Sequence, residues 1–133
     1  MKINVIFVLL LAGLTLGCGG YGSSTPAAAQ PGTMPTLTQL VPNTAISGGS
    51  NFTLTVNGSN FASDATVNWN GAVQTTTFVS ATQVTAAIPA SAIAAPATVQ
   101  VSVTNPGKAG TGGQYGSGGT LSETSGNMNF TVN

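Results

Sequence analysis

The sequence predicts an all-β fold over residues 36–133, a sandwich of about seven short strands in two packed antiparallel sheets. Three observations predict it. Apolar residues recur at every second position in short blocks, turn-forming residues separate the blocks, and β-branched Thr and Val disfavour helix within them. Each block has one apolar and one polar face, as expected for a sheet covered on one side only. The length, roughly a hundred residues, is that of one sandwich domain.

Taken in order, Leu40-Val41-Pro42 leads into the turn Ser47-Gly48-Gly49-Ser50. Phe52, Leu54 and Val56 then share a face, with Thr53 and Thr55 opposite. Asn57-Gly58-Ser59-Asn60 reads as the next turn, with Gly58 permitting a backbone bend that lets Phe61 fold back over the open end of the sandwich. Val67 and Trp69 point inward and Asn68 and Asn70 outward, and Asn70-Gly71 is a two-residue hairpin signal because both residues accept positive φ. Val84, Ala86 and Ile88 form the next inward set. Residues 91–95, between Pro89 and Pro96, are the exception and predict a single helical turn. Val99, Val101 and Val103 face inward against Gln100, Ser102 and Thr104, and Asn105-Pro106-Gly107 turns the chain. Met128, Phe130 and Val132 make the last strand.

This arrangement resembles the IPT/TIG family of immunoglobulin-like (E-set) sandwiches, found in cell-surface receptors, bacterial envelope proteins and some transcription factors. The residues that carry the resemblance are Leu40-Val41-Pro42, Gly48-Gly49, the run from Phe52 to Phe61, Val67-Asn68-Trp69-Asn70-Gly71, the blocks starting at Val84 and Val99, and the closing Phe130-Thr131-Val132. The chain departs from the family between Pro106 and Leu121, where a short hairpin connection is replaced by GKAGTGGQYGSGG. Ordering a backbone so rich in glycine costs on the order of 1 kcal/mol or more per residue, so no rigid loop is expected over residues 107–125.

Ahead of the domain, Lys2 precedes an almost unbroken apolar run over residues 5–16, closed by Gly17-Cys18-Gly19-Gly20. That is the plan of an export signal, and it is short of the roughly 18–20 residues that span a bilayer. Residues 1–17 are therefore expected to be a signal peptide resembling those of bacterial lipoproteins, with Cys18 as the acylated residue. Gly17 and Cys18 match the usual lipobox, whereas Thr15 and Leu16 depart from its order. The alternative is ordinary cleavage at Ala27-Ala28-Ala29, further from the apolar run. Acylation also accounts for a lone cysteine in an exported chain, which has no internal disulfide partner. More than one acyl chain would make the attachment durable. Gly19 rather than Asp after Cys18 implies, by the same resemblance, an outer-membrane or cell-surface location. Residues 18–35 are expected to be the anchor and a Gly/Ser/Pro/Ala linker of about 23 Å average span.

Beyond Cys18 the charged side chains are Asp64, Lys108 and Glu123 alone. Phosphate neutralisation needs a cluster of Lys and Arg, so nucleic acid is excluded as a partner. There is no histidine, and two carboxylates in separate loops supply neither a glycosidase pair nor a calcium site. Without a base, serine and threonine hydroxyls stay un-ionised. No enzyme activity, cofactor or metal is expected. Trp69 could stack on a sugar ring, but its parity with Val67 places it in the core. Tyr115, within the glycine-rich stretch, is the candidate exposed aromatic of a binding loop. The N-x-S/T triplets at Asn51, Asn57 and Asn129 carry no assigned role. Two readings follow: an envelope lipoprotein whose domain binds a surface protein or polysaccharide without catalysis, or a passive spacer with no specific ligand.

Overall fold

The computed structural model describes residues 29–110 and 118–133. Among these residues ten strands form two sheets that close over one apolar interior. The first sheet has the order β1 (Thr36–Val41), β3 (Phe52–Ser59), β7 (Gln83–Ile88), β6 (Thr75–Ser80), all antiparallel. The second runs β2 (Thr44–Ala45), β10 (Met128–Val132), β8 (Ala97–Asn105), β4 (Thr66–Trp69), β5 (Ala72–Val73), with β9 (Glu123–Thr124) also against β8. β2 is parallel to β10, and the chain changes sheets between β1 and β2 at Pro42. The strand orders are those of an immunoglobulin-like sandwich.

The alternating residues meet inside as their parity predicts. Leu54, Val56, Val84, Ala86 and Ile88 from the first sheet face Val67, Trp69, Val99, Val101, Val103, Phe130 and Val132 from the second, all buried. Three rings lie at the centre of one half: Trp69 and Phe130 have centroids 4.8 Å apart, and Phe52 stacks on Phe130 at 5.6 Å. Trp69 is 5% exposed, which rules it out as a sugar platform. The Asn70-Gly71 hairpin is present, with φ of 50° and 85° and Trp69 paired to Ala72. The helical turn between the prolines is a single 3-10 turn at Ala90–Ile93, seated by buried Ile93.

Gly58 differs from its expected role. It lies within β3 in ordinary extended backbone, and the left-handed residue at this corner is Asn60, with φ 61°. What Gly58 supplies is room. The pairing of β1 slips by one residue between Leu37 and Gln39, opposite Gly58 and Asn57, and this bulge brings the backbones close together. A Cβ on Gly58 would overlap the Thr36 carbonyl oxygen and come within 2.6 Å of Cζ of Phe61. Phe61 does cover this end of the core, and it does so by occupying the space a side chain at 58 would need. Gly58→Ala is expected to destabilise the domain by about 1–3 kcal/mol, the scale of overpacking a filled site, read as a lower denaturant midpoint with an unchanged slope.

Strand β6 has no counterpart among the sequence blocks. Its inward positions, Thr76 and Phe78, pair with Ala86 and Val84, but β6 is an edge strand and Phe78 stays 38% exposed, so the alternation is weak. Thr76 instead ties the two sheets: its hydroxyl accepts the Val67 N–H at 2.8 Å. On the outer face of the second sheet Ser102 is covered rather than open, because the Asn68 amide lies across Ser102 and Thr104.

Candidate functional site

The pairing registers define the two ends of the sandwich. Phe52 pairs with Ile88 at one end of the first sheet and Asn57 with Gln83 at the other. In the second sheet Trp69 pairs with Val101, and Thr66 with Thr104. Phe61 N–H donates to the Ala81 carbonyl, and Ala62 N–H to Oδ1 of Asn105. One pole therefore collects residues 30–35, 60–65, 80–83 and the roots of the glycine-rich segment. The opposite pole carries residues 46–51, 70–74 and 89–96.

At the first pole the organising residue is Asn105, 6% exposed. Its Oδ1 accepts the Ala62 N–H at 3.0 Å, and its Nδ2 donates to the carbonyls of Thr33 at 2.8 Å and Asn60 at 2.7 Å. One side chain thus ties the segment entering the domain, the loop after β3 and the end of β8. In the sequence alone Asn105 reads as a turn residue before Pro106. The signal that could have found it is parity, since residues 99, 101, 103 and 105 alternate on one strand and the last faces the interior. Among the described residues no buried side-chain polar atom lacks a partner.

The glycine-rich segment is ordered at its roots, contrary to the expectation for residues 107–125. Lys108 and Thr120 exchange backbone hydrogen bonds of 3.0 and 2.8 Å, and β9 pairs with the end of β8. Ser125 continues the ladder, its N–H donating to the Val103 carbonyl and its Oγ accepting the Val103 N–H, both at 2.9 Å. Some of the glycines serve this packing: a Cβ on Gly119 would overlap the Lys108 carbonyl, and one on Gly107 would lie 2.6 Å from the Thr120 carbonyl. Close backbone approach offsets part of the ordering cost here.

Lys108 Nζ lies 3.0 Å from Asp64 Oδ2 on the exposed rim of this pole. The Lys108 hydrogen bond holds the Asp64 carboxyl below the usual carboxylate range. Whatever this surface pair contributes is present above the ordinary Asp pKa and fades as pH falls through the lowered value. The pair leaves Lys108 in no position to activate a hydroxyl.

The opposite pole has two open grooves on either side of Pro89. One is lined by Asn51, Phe52, Gln74 and Thr75, the other by Trp69, Asn70, Ser91 and Ala95. Amides, hydroxyls and small apolar groups line them, with no charged side chain. Such surfaces can accept and donate hydrogen bonds to a neutral partner but cannot move protons. Of the residues singled out from the sequence, Cys18, Tyr115 and the apolar run lie outside the described residues.

A two-sheet immunoglobulin-like sandwich with no charged side chain lining the grooves of its Pro89 pole defines the class, an immunoglobulin-like binding or spacer module. The IPT/TIG domain model matches residues 35–132, and the chain belongs to that family. No curated protein and no solved structure gave a match.

Proposed function

We propose that this chain is an exported lipoprotein, anchored through acylated Cys18, that presents its IPT/TIG domain on the cell envelope, at the outer membrane or cell surface, to bind an uncharged surface protein or polysaccharide. The observation that carries the binding part is the chemistry of the pole around Pro89, where Asn51, Asn70, Gln74 and Ser91 offer amides and a hydroxyl without a charge. A partner held there gains hydrogen bonds without desolvating an ion. The anchor part is supported by the export-signal pattern ending at Cys18 and by the need of a lone exported cysteine for a role.

Metabolic labelling with a fatty-acid analogue tests the anchor. Wild type is expected to take up label and to sediment with membranes, and Cys18→Ala to lose both. Label that persists in Cys18→Ala removes the anchor. Alanine scanning of Asn70, Gln74 and Ser91 with retention on envelope polysaccharide or surface protein tests the binding, since a passive spacer would show no dependence on these loops.

A further inference from the structure

Residues 30–35, read from the sequence as linker, run against the domain. Gln30 N–H donates to the Gly119 carbonyl and Leu121 N–H to the Gln30 carbonyl, each at 2.8 Å, so the segment adds a parallel bridge beside the Lys108–Thr120 pair. Gly32 passes so close that a Cβ there would overlap the Leu121 carbonyl and stand 3.1 Å from Cγ of Glu123. The Thr33 carbonyl accepts from buried Asn105 at 2.8 Å and the Met34 carbonyl from Asn60 Nδ2 at 3.4 Å. Pro35 is fully buried.

From these contacts we infer that residues 30–35 form a strap, clamped between the roots of the glycine-rich segment and Asn105, that holds the domain with this pole toward its anchor and the Pro89 pole outward. The orientation rests on the Cys18 anchor; the strap does not. With the strap closed, residues 19–28 can span at most roughly 35 Å even fully extended, little more than the about 30 Å of the nine-residue strand β8 at about 3.3 Å per residue, so the domain tips over only with that stretch drawn nearly straight. Releasing the strap adds about 20 Å of reach, enough for the domain to tip over. The roots of the glycine-rich segment, at Lys108 and Thr120, therefore face the anchored side. A partner arriving from outside meets residues 46–51, 70–74 and 89–96 first.

Two readouts separate the strap from the anchor. Amide hydrogen exchange on the full chain is expected to show Gln30 and Leu121 protected, with protection at both lost in Gly32→Val and at Leu121 lost in Gln30→Pro, which has no amide hydrogen at position 30, while the core amides of β8 are unchanged. Free exchange at both amides in wild type overturns the strap. On isolated membranes, a bulky impermeant maleimide is expected to label Ser91→Cys several-fold faster than Ala81→Cys, and both alike in detergent. The difference should shrink toward equality when either strap variant is added. A membrane-bound chain that labels equally at both positions, or a difference that both strap variants leave intact, overturns the orientation. Loss of the chain from the membrane fraction would instead mark failure of the Cys18 reading, and with it of the orientation that rests on it.

Discussion

Phe130→Ala is expected to lower stability by about 3–5 kcal/mol, the range for removing a buried ring. Phe130 has no exposed surface, stacks on Phe52 at 5.6 Å and tilts against Trp69 at 4.8 Å, so its ring is the middle of the aromatic cluster. The backbone around it is held by β8 along its whole length, Phe130 pairing with Val99, so the strand cannot slide inward to close the cavity. A domain of this size has about 5–15 kcal/mol in total, so this one change removes a large share of it. Trp69 is the single tryptophan and reports directly on the site. Chemical denaturation followed by its emission should show a lower midpoint and an unchanged slope. A loss under about 1 kcal/mol would be below the range for any buried ring and would mean that this cluster is not the centre of the core.

Asn105→Ala is the second large effect, at about 3 kcal/mol. The change strands the Ala62 N–H and leaves the Thr33 and Asn60 carbonyls each short of a donor. An orphaned buried group costs about 1–3 kcal/mol, and water reaches part of this pole, which keeps the total below the full sum. Asn105→Asp has the same shape and separates packing from hydrogen bonding. Its carboxylate would face two carbonyl oxygens without a proton to donate, so burial and repulsion raise its folded pKa above its unfolded value. The protonated form then favours the folded state, and stability should rise as pH falls from neutral through the raised pKa. Thermal midpoints of the Ala and Asp variants across that range check both points. An Asp variant as stable as wild type at neutral pH would show that Nδ2 makes no structural contribution.

The two residues differ in how far the sequence reveals them. Phe130, like Trp69, Val101 and Leu54, falls on a period-2 stripe, and a stripe needs only local geometry to point inward. The Asn70-Gly71 hairpin was legible for the same reason, because two residues that accept positive φ define that turn alone. Gly58 was visible as special, but its reason was not. Its crowding comes from the Thr36 carbonyl across a bulge and from Phe61, one of them 22 positions away in the chain. Strand β6 was missed because an edge strand half covered by its neighbours needs little hydrophobic alternation. At the candidate site, the lack of histidine and the scarcity of charge are legible directly, because they depend on residue type alone.

Composition and alternation by themselves determined the all-β class, the inward face of most strands and the scarcity of charge, because each depends on residue type and local spacing. The tertiary structure alone decided that Asn105 joins three segments, that Lys108 meets Asp64, and that residues 30–35 lie against the glycine-rich roots. Those are meetings between residues tens of positions apart. A hydrogen bond across such a distance exists only once two sheets have closed and brought their ends to one pole.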